Sequence, residues 1–392
     1  MKIVIATPIL YDATSPYNHL FRDMLTGWLE AGHEIVRIAA VEHAGDTAYQ
    51  MGVNSPAITH LPVVRKRRSK SNIIVRYLTD TVTNIRMARM LKKTGADVLF
   101  EDVSYSSFWS VRAAKKSGMK VVSMLQDIWP DNAVQSGLMA EGSLMYRYFE
   151  WWQRQAYRLS DKFITISDDM KALLVNKGVK PDRVRVIYNW GYGDDKVSIP
   201  FEENEFAKAQ NLSPDVFYAV YAGNIGRMQN VELVVKAAET LQAREDIRFL
   251  IIGDGVNRDA IAQAAAPLAN VTMLPLQPSE LATSIYSAAG VNLIPLVEGG
   301  VNTALPSKTG VCLSCGKPVI FCFGENCAFA DTVRQYGAGD CVSATDAQGL
   351  ADAIVALAQN RTDVCEGAYA LFQGRFGREA NIEQYVKELE HI

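Results

Sequence analysis

Apolar runs of strand length alternate with helical segments along nearly the whole chain, and no other feature constrains its fold as tightly. Ile3–Leu10 is apolar apart from Thr7-Pro8, turn formers fill Tyr11–Asn18, and a helical pattern runs through Leu29 to a stop at Gly32. Further strands are predicted at Glu34–Ala40, Asp97–Val103, Lys120–Leu125, Lys162–Ser167 and Val184–Tyr188. Helical segments separate most of them. Parallel strands need a long crossover, usually a helix, so the alternation predicts a parallel sheet covered on both faces.

The polar stretch Gly191–Pro200, with Gly193, Asp194 and Asp195 inside it, interrupts the pattern and reads as a linker. The alternation then restarts, with strands predicted at Phe217–Gly223, Arg248–Gly253, Val271–Leu276, Val291–Leu296, Val319–Phe323 and Asp340–Ser343 and helices such as Val231–Arg244 between them. A chain of 392 residues exceeds one ordinary core. The expected class is α/β: two doubly wound, Rossmann-like domains at 1–192 and 193–375, then a terminal segment, 376–392, with a helix around Ile382–Leu389.

The net charge of −3 gives no case for nucleic acid as a partner. Positive charge is nonetheless concentrated in RKRRSK, which contains Arg65, Lys66, Arg67, Arg68 and Lys70, and it continues through Arg76, Arg86, Arg89, Lys92 and Lys93. Beside anionic lipid each basic residue contributes about 1 kcal/mol, enough together for reversible attachment. A solvated basic loop is the other reading. Tyr146–Arg158, YRYFEWWQRQAYR, is likewise either an interfacial helix or a core-facing one. No segment reaches the roughly 18 to 20 apolar residues of a membrane span. The start, MKIVIATPILYD, reads as a strand rather than a leader, so the expected place is the cytoplasm, at a membrane surface. All six cysteines lie from Cys312 onward, and Cys312-x-x-Cys315 lacks partners at zinc spacing, so free buried thiols are expected and no metal or cofactor is implied.

In doubly wound sheets ligands bind beyond the carboxyl ends of the strands, so the loops there carry the functional signal. Four such loops follow successive strands of the second domain. Gly223-Asn224-Ile225-Gly226-Arg227 offers close backbone approach and a guanidinium for phosphate; an ordinary tight turn with a solvated Arg227 is the alternative. Gly253-Asp254-Gly255 is a second close-approach loop. Pro275-Leu276-Gln277-Pro278 holds extended backbone that suits a flat base, or simply a rigid connection. In EGGVNTALPSKTG, from Glu298 to Gly310, Pro306-Ser307-Lys308 opens a helix and adds a cation. Arg227 and Lys308 form a plausible diphosphate clamp.

These motifs resemble the retaining glycosyltransferases of family 4, whose GT-B architecture sets two Rossmann-like domains face to face. The likeness is carried by YAGNIGRMQN at Tyr221–Asn230, LIIGDG at Leu250–Gly255, PSKTGVCLSCGKPVI at Pro306–Ile320, LQDIWPDNAVQSG at Leu125–Gly137 and VIYNW at Val186–Trp190. The last two are similar to the branch that builds bacterial surface polysaccharides. The resemblance implies that a nucleotide diphospho-sugar, UDP-sugars favoured, binds the second domain, with Gly226, Arg227 and Lys308 near the diphosphate, Pro275, Leu276 and Gln277 near the base, and Gly223, Asn224, Gly253 and Gly255 elsewhere in the donor site. Asn302, Thr303 and Ser307 would join the donor site. It further implies a polyprenyl-diphosphate-linked saccharide as acceptor, and a final helix that crosses back to the first domain.

The family's Glu-x7-Glu pair is replaced here by Thr303 and Val311, and two commonly basic loop positions are Asn224 and Gln229. Glu298, just upstream, is the carboxylate left to reach the sugar. No flanking carboxylate pair is evident, and the resemblance implies front-face attack instead, in which Arg227 and Lys308 would stabilise leaving-group charge. Asp127 follows a strand and is the expected acceptor-orienting or base residue, with a turn-capping Asp as the alternative. Trp129 and Asn132 beside it, and Ser15, Tyr17 and Asn18, complete the acceptor-side set. A nucleotide-sugar epimerase of related plan and a non-catalytic nucleotide-sugar binder are the competing readings. The basic stretch disfavours the first and the missing carboxylates favour the second.

Overall fold

The computed structural model describes residues 1–7, 18–43, 45–47, 50, 52–65, 73–104, 106–191, 197–361 and 365–392. The described chain divides into two compact units, one of residues 1–134, 139–188 and 379–392, the other of 135–138 and 189–378.

The first unit is built on a parallel sheet of seven strands: β1 (Lys2–Thr7), β2 (Glu34–Val41), β3 (Ile58–Val64), β4 (Val98–Asp102), β5 (Lys120–Leu125), β6 (Lys162–Thr165) and β7 (Val184–Val186). Their order is β3-β2-β1-β4-β5-β6-β7. Six of these fall where the apolar runs put them; β3 does not. Its sequence, ITHLPVV, has a mid-strand proline, which removes a ladder donor and is tolerated because β3 is the sheet's edge. The register of β1 on β2 begins Lys2 opposite Glu34 and that of β1 on β4 begins Ile3 opposite Val98. This buries Ile3, Val4 and Ile5 completely, as expected of strands covered on both faces.

The chain's last helix, Arg378–Glu390, belongs to this first unit. Tyr385 is buried edge-on to Phe100 at 6.0 Å, and Trp28 packs on the same ring at 4.9 Å. Glu388 receives Lys162 Nζ and Arg185 Nε at 3.0 Å each, and the Asn381 amide donates to the Tyr188 carbonyl at 2.9 Å. Burial of Tyr385 and Leu389, rather than helix propensity, holds a segment this polar in place.

The second unit carries six parallel strands: β8 (Phe217–Ala222), β9 (Ile247–Ile252), β10 (Val271–Leu274), β11 (Val291–Pro295), β12 (Val319–Cys322) and β13 (Gly339–Val342), ordered β10-β9-β8-β11-β12-β13. All six lie where the sequence predicts them. Chain order reverses between β8 and β11, as it does between β1 and β4 in the first unit. Loops leaving such a reversal diverge and open a crevice at the strands' carboxyl ends.

Candidate functional site

Lys308 stands at the reversal of the second sheet. It begins the helix Lys308–Ser314, which follows β11, yet its ammonium reaches the end of β8: Nζ donates to the Ala222 carbonyl at 3.0 Å and lies 3.7 Å over the Tyr221 ring. The same carbonyl also accepts from Tyr286 Oη at 3.0 Å. A cation over a ring face is favourable, but neither group neutralises it. No described carboxylate pairs with Lys308, and desolvation lowers its pKa to about 8. A Cβ at position 223 would sit 3.1 Å from Nζ, so Gly223 leaves the space above the ammonium open. Gly223 also has φ +142, where a side chain is strained.

The loop after β8 is fixed to its neighbours by backbone bonds. Ile225 N donates to the Asp254 carbonyl at 2.7 Å, Asn257 N to the Ile225 carbonyl at 3.0 Å, and Val297 N to the Met228 carbonyl at 2.9 Å. Asn230, in left-handed conformation, sends its amide to the Ala344 carbonyl at 2.8 Å. The loops after β8, β9 and β11 are thereby brought together. A Cβ on Gly253 would strike the Gly223 carbonyl, and one on Gly255 would strike the Ile225 carbonyl. These two glycines thus permit close contact between the loops after β8 and β9.

On the rim, Arg227, Asn224 and Glu298 are exposed, and neither Arg227 nor Glu298 has a hydrogen-bond or ion-pair partner among the described residues. Asn224 and Gln229, at the two positions that lack a basic residue, hydrogen-bond to each other at 3.3 Å. Gly226 admits this pair, since a Cβ there would lie 2.7 Å from both side chains.

The first unit gathers acids at the ends of adjacent strands. β4 ends in Glu101-Asp102, and Asp127 follows β5. Burial pushes the wholly enclosed Glu101 well above the ordinary carboxylate range. Burial, then the charge of Asp127, raises Asp102 to about 7. Asp127 reaches solvent, but the protein around it desolvates its carboxyl and raises it to about 6, while a hydrogen bond with Asn132 pulls the other way. Glu101 and Asp102 were missed by the sequence reading; their signal is a pair of acids at the carboxyl end of a buried strand.

Family models match both parts of the chain: "Glycosyl transferase 4-like domain" over residues 18–190 and "Glycosyl transferases group 1" over 217–360. The chain belongs to glycosyltransferase family 4. Among curated proteins it is 26% identical over 254 residues to the probable glycosyltransferase WbjE of Pseudomonas aeruginosa, covering 64% of this chain and 60% of that one. It is 27% identical over 208 residues to the putative colanic acid biosynthesis glycosyl transferase WcaI of Escherichia coli K12, covering 52% and 51%. The chain thus spans about half to three-fifths of the length of these curated relatives. Among solved structures, HepE of Anabaena in complex with UDP superposes with TM-score 0.72 over 100% of both chains at 14% identity, a likeness of GT-B fold.

The family's first carboxylate position, Thr303, is 1% exposed, and its hydroxyl donates to the Gly300 carbonyl at 3.0 Å, so it presents nothing to a ligand. Val311 lies inside the helix Lys308–Ser314. Asn302 is exposed, and Ser307 precedes the helix without capping it. Pro275, Leu276 and Gln277 follow the edge strand β10; Leu276 is 62% exposed and Gln277 Nε2 folds back onto the Pro275 carbonyl at 2.9 Å. Trp129 packs edge-on against Phe149 at 5.3 Å. Asn18 is the first residue of the helix Asn18–Glu30, whereas Ser15 and Tyr17 lie outside the described residues.

The basic stretch needs a correction. Arg65 is no solvated lipid-facing charge: it is buried, 2.6 Å from Asp80, with both side chains 1% exposed. Lys66, Arg67, Arg68 and Lys70 lie outside the described residues. Cys312, Cys315, Cys322 and Cys341 are buried free thiols, and the described residues contain no cluster of side chains that would hold a metal. Nor is any described helix long and apolar enough to cross a membrane.

Proposed function

We propose that the chain is a retaining, metal-independent glycosyltransferase that moves a sugar from a nucleotide diphospho-sugar, UDP-sugars favoured, to a polyprenyl-diphosphate-linked saccharide in bacterial surface-polysaccharide assembly, at the cytoplasmic face of the membrane. One observation carries this: an ammonium without a carboxylate partner, at a sheet reversal, kept uncovered by Gly223. A desolvated cation of this kind is stabilised by an anion, and a diphosphate supplies charge and acceptors together. HepE's complex with UDP supports a uridine nucleotide, and the name of WcaI supports the polysaccharide setting.

In this reading Lys308 and Arg227 take up charge as the sugar's bond to the diphosphate breaks. The departing phosphate receives the acceptor's proton on the face it leaves, so the new bond retains configuration. Asp127, ionised at neutral pH with a pKa near 6, orients the acceptor hydroxyl. The open backbone around Leu276 faces the base, and Glu298 the sugar.

Thermal melting with UDP, GDP and ADP tests the donor site. A ligand at a hundred times its Kd adds about 2.7 kcal/mol, a shift of several degrees. The selected nucleotide's sugars then enter hydrolysis and transfer assays. A non-catalytic binder is the second reading, favoured by the buried Thr303 hydroxyl; binding of a nucleotide-sugar with no turnover on any polyprenyl-linked acceptor would establish it.

A further inference from the structure

We propose that the first unit docks on an anionic phospholipid surface through the outer faces of the helices Ile73–Leu91 and Leu144–Leu159, an inference that rests on the lipid-linked acceptor of the preceding section. Val75, Leu78 and Val82 are 47%, 56% and 50% exposed, and Leu144, Tyr148 and Trp151 are 86%, 48% and 53% exposed. Their spacings put each trio on one helix face. In an ordinary amphipathic helix that face is the buried one. Here both stripes point outward. Tyr77 and Tyr148 hydroxyls meet at 3.0 Å and the Tyr77 ring is edge-on to Phe149 at 5.0 Å, so the two helices are joined. Grouped exposed apolar side chains rimmed by polar residues mark interaction sites, whereas singly scattered ones do not.

Chemistry selects the occupant. Trp and Tyr favour the boundary between bilayer and water, where an apolar body and a polar tip are both accommodated. The unpaired charge beside them is positive: Arg86, Arg89, Arg147 and Arg158 are exposed on these two helices. Their acids are withdrawn from the surface, since Asp80 is buried against Arg65 while Glu150 bridges Arg154 at 2.9 Å and Lys177 at 3.4 Å. An apolar face with a positive rim fits anionic headgroups, whereas a second copy would set arginine against arginine. Trp151 is already held edge-on to Trp152 at 4.7 Å, so little side-chain freedom is lost on docking.

The test is flotation of the full chain with vesicles of phosphatidylcholine, with and without phosphatidylglycerol. Wild type floats with the anionic vesicles. Leu144→Ser/Trp151→Ser and, separately, Leu78→Ser/Val82→Ser lower the partition coefficient at least about tenfold, with melting temperature and nucleotide binding unchanged because the sites are exposed. Wild type that stays with the buffer, or variants that float as well as wild type, would overturn the proposal. So would a wild-type dimer that both variants dissolve, which would make this face a self-interface. Vesicle binding without donor turnover counts against the preceding section alone; donor turnover without vesicle binding counts against this surface alone.

Discussion

If Lys308 is the cation that a donor diphosphate meets, affinity must follow its protonation. Its pKa is lowered to about 8 from an ordinary value of 10.5, because desolvation disfavours the charged form. The sign is that of a depressed base: the cation is present below about pH 8 and is lost as pH rises through it. About ten-elevenths of free protein is competent at pH 7 and about one-eleventh at pH 9. A bound diphosphate raises the pKa, so the proton is recovered on binding, and Kd weakens about tenfold across that span. Lys308→Met keeps the stem over Tyr221 and removes the charge. It weakens binding by about 1.5 to 3 kcal/mol at pH 7, roughly 10- to 150-fold, and removes this component of the pH slope. Isothermal titration with the selected nucleotide between pH 7 and 9 reads both effects, and titrations of the ligand itself cancel in the comparison of the two proteins. Parallel slopes for wild type and Lys308→Met would refute the assignment.

Three other perturbations probe the frame around the site. If Asp127, with a carboxyl raised to about 6, orients the acceptor as a carboxylate, turnover falls as pH drops through that value; Asp127→Asn then removes this acid limb from the kcat/KM profile and costs about 10²-fold in rate through lost positioning. Gly253→Ala drives a methyl group into the Gly223 carbonyl at φ +154 and lowers the unfolding free energy read from urea titration by more than the roughly 1 kcal/mol of an ordinary glycine replacement. Arg65→Met removes a buried ion pair from Asp80 and lowers the urea midpoint, while the double variant with Asp80→Leu recovers part of the loss.

The strands were legible because β-sheet burial writes itself as apolar runs, and β3 escaped because an edge strand is free to carry Pro62 and His60. Lys308 was legible as a cation beyond a strand; that its ammonium crosses to β8 follows from β11 and β8 being neighbours, which only sheet order supplies. The same holds for Glu101 and Asp102. Two acids at the last positions of a strand look like its solvated end until β4 is set beside β5 and Asp102 faces the charge of Asp127. Gly253 and Gly255 were legible as close-approach positions, but a glycine does not say to what, and the neighbouring loop is one such contact. Arg65 shows the limit of reading a charge run as one surface, since its partner Asp80 lies on the following helix.

The replaced carboxylates leave one question with a sharp answer. Sugar hydroxyls need an acceptor, and Thr303 has turned inward while Val311 has none to give. Glu298 is exposed, without a partner among the described residues, and is set by the Val297 bond to Met228, beside Arg227, and by the turn at Gly299 with φ +71. If it has taken over the sugar, its loss discriminates between two ligands that share everything else. Glu298→Gln then weakens the nucleotide-sugar by roughly 10- to 150-fold, the range of about 1.5 to 3 kcal/mol for a charged hydrogen bond, and leaves the bare nucleoside diphosphate unchanged. Lys308→Met weakens both, because the diphosphate is common to them. An equal effect of Glu298→Gln on both ligands would put the carboxylate near the nucleotide, and no effect on either would leave the sugar to backbone groups of the same loop.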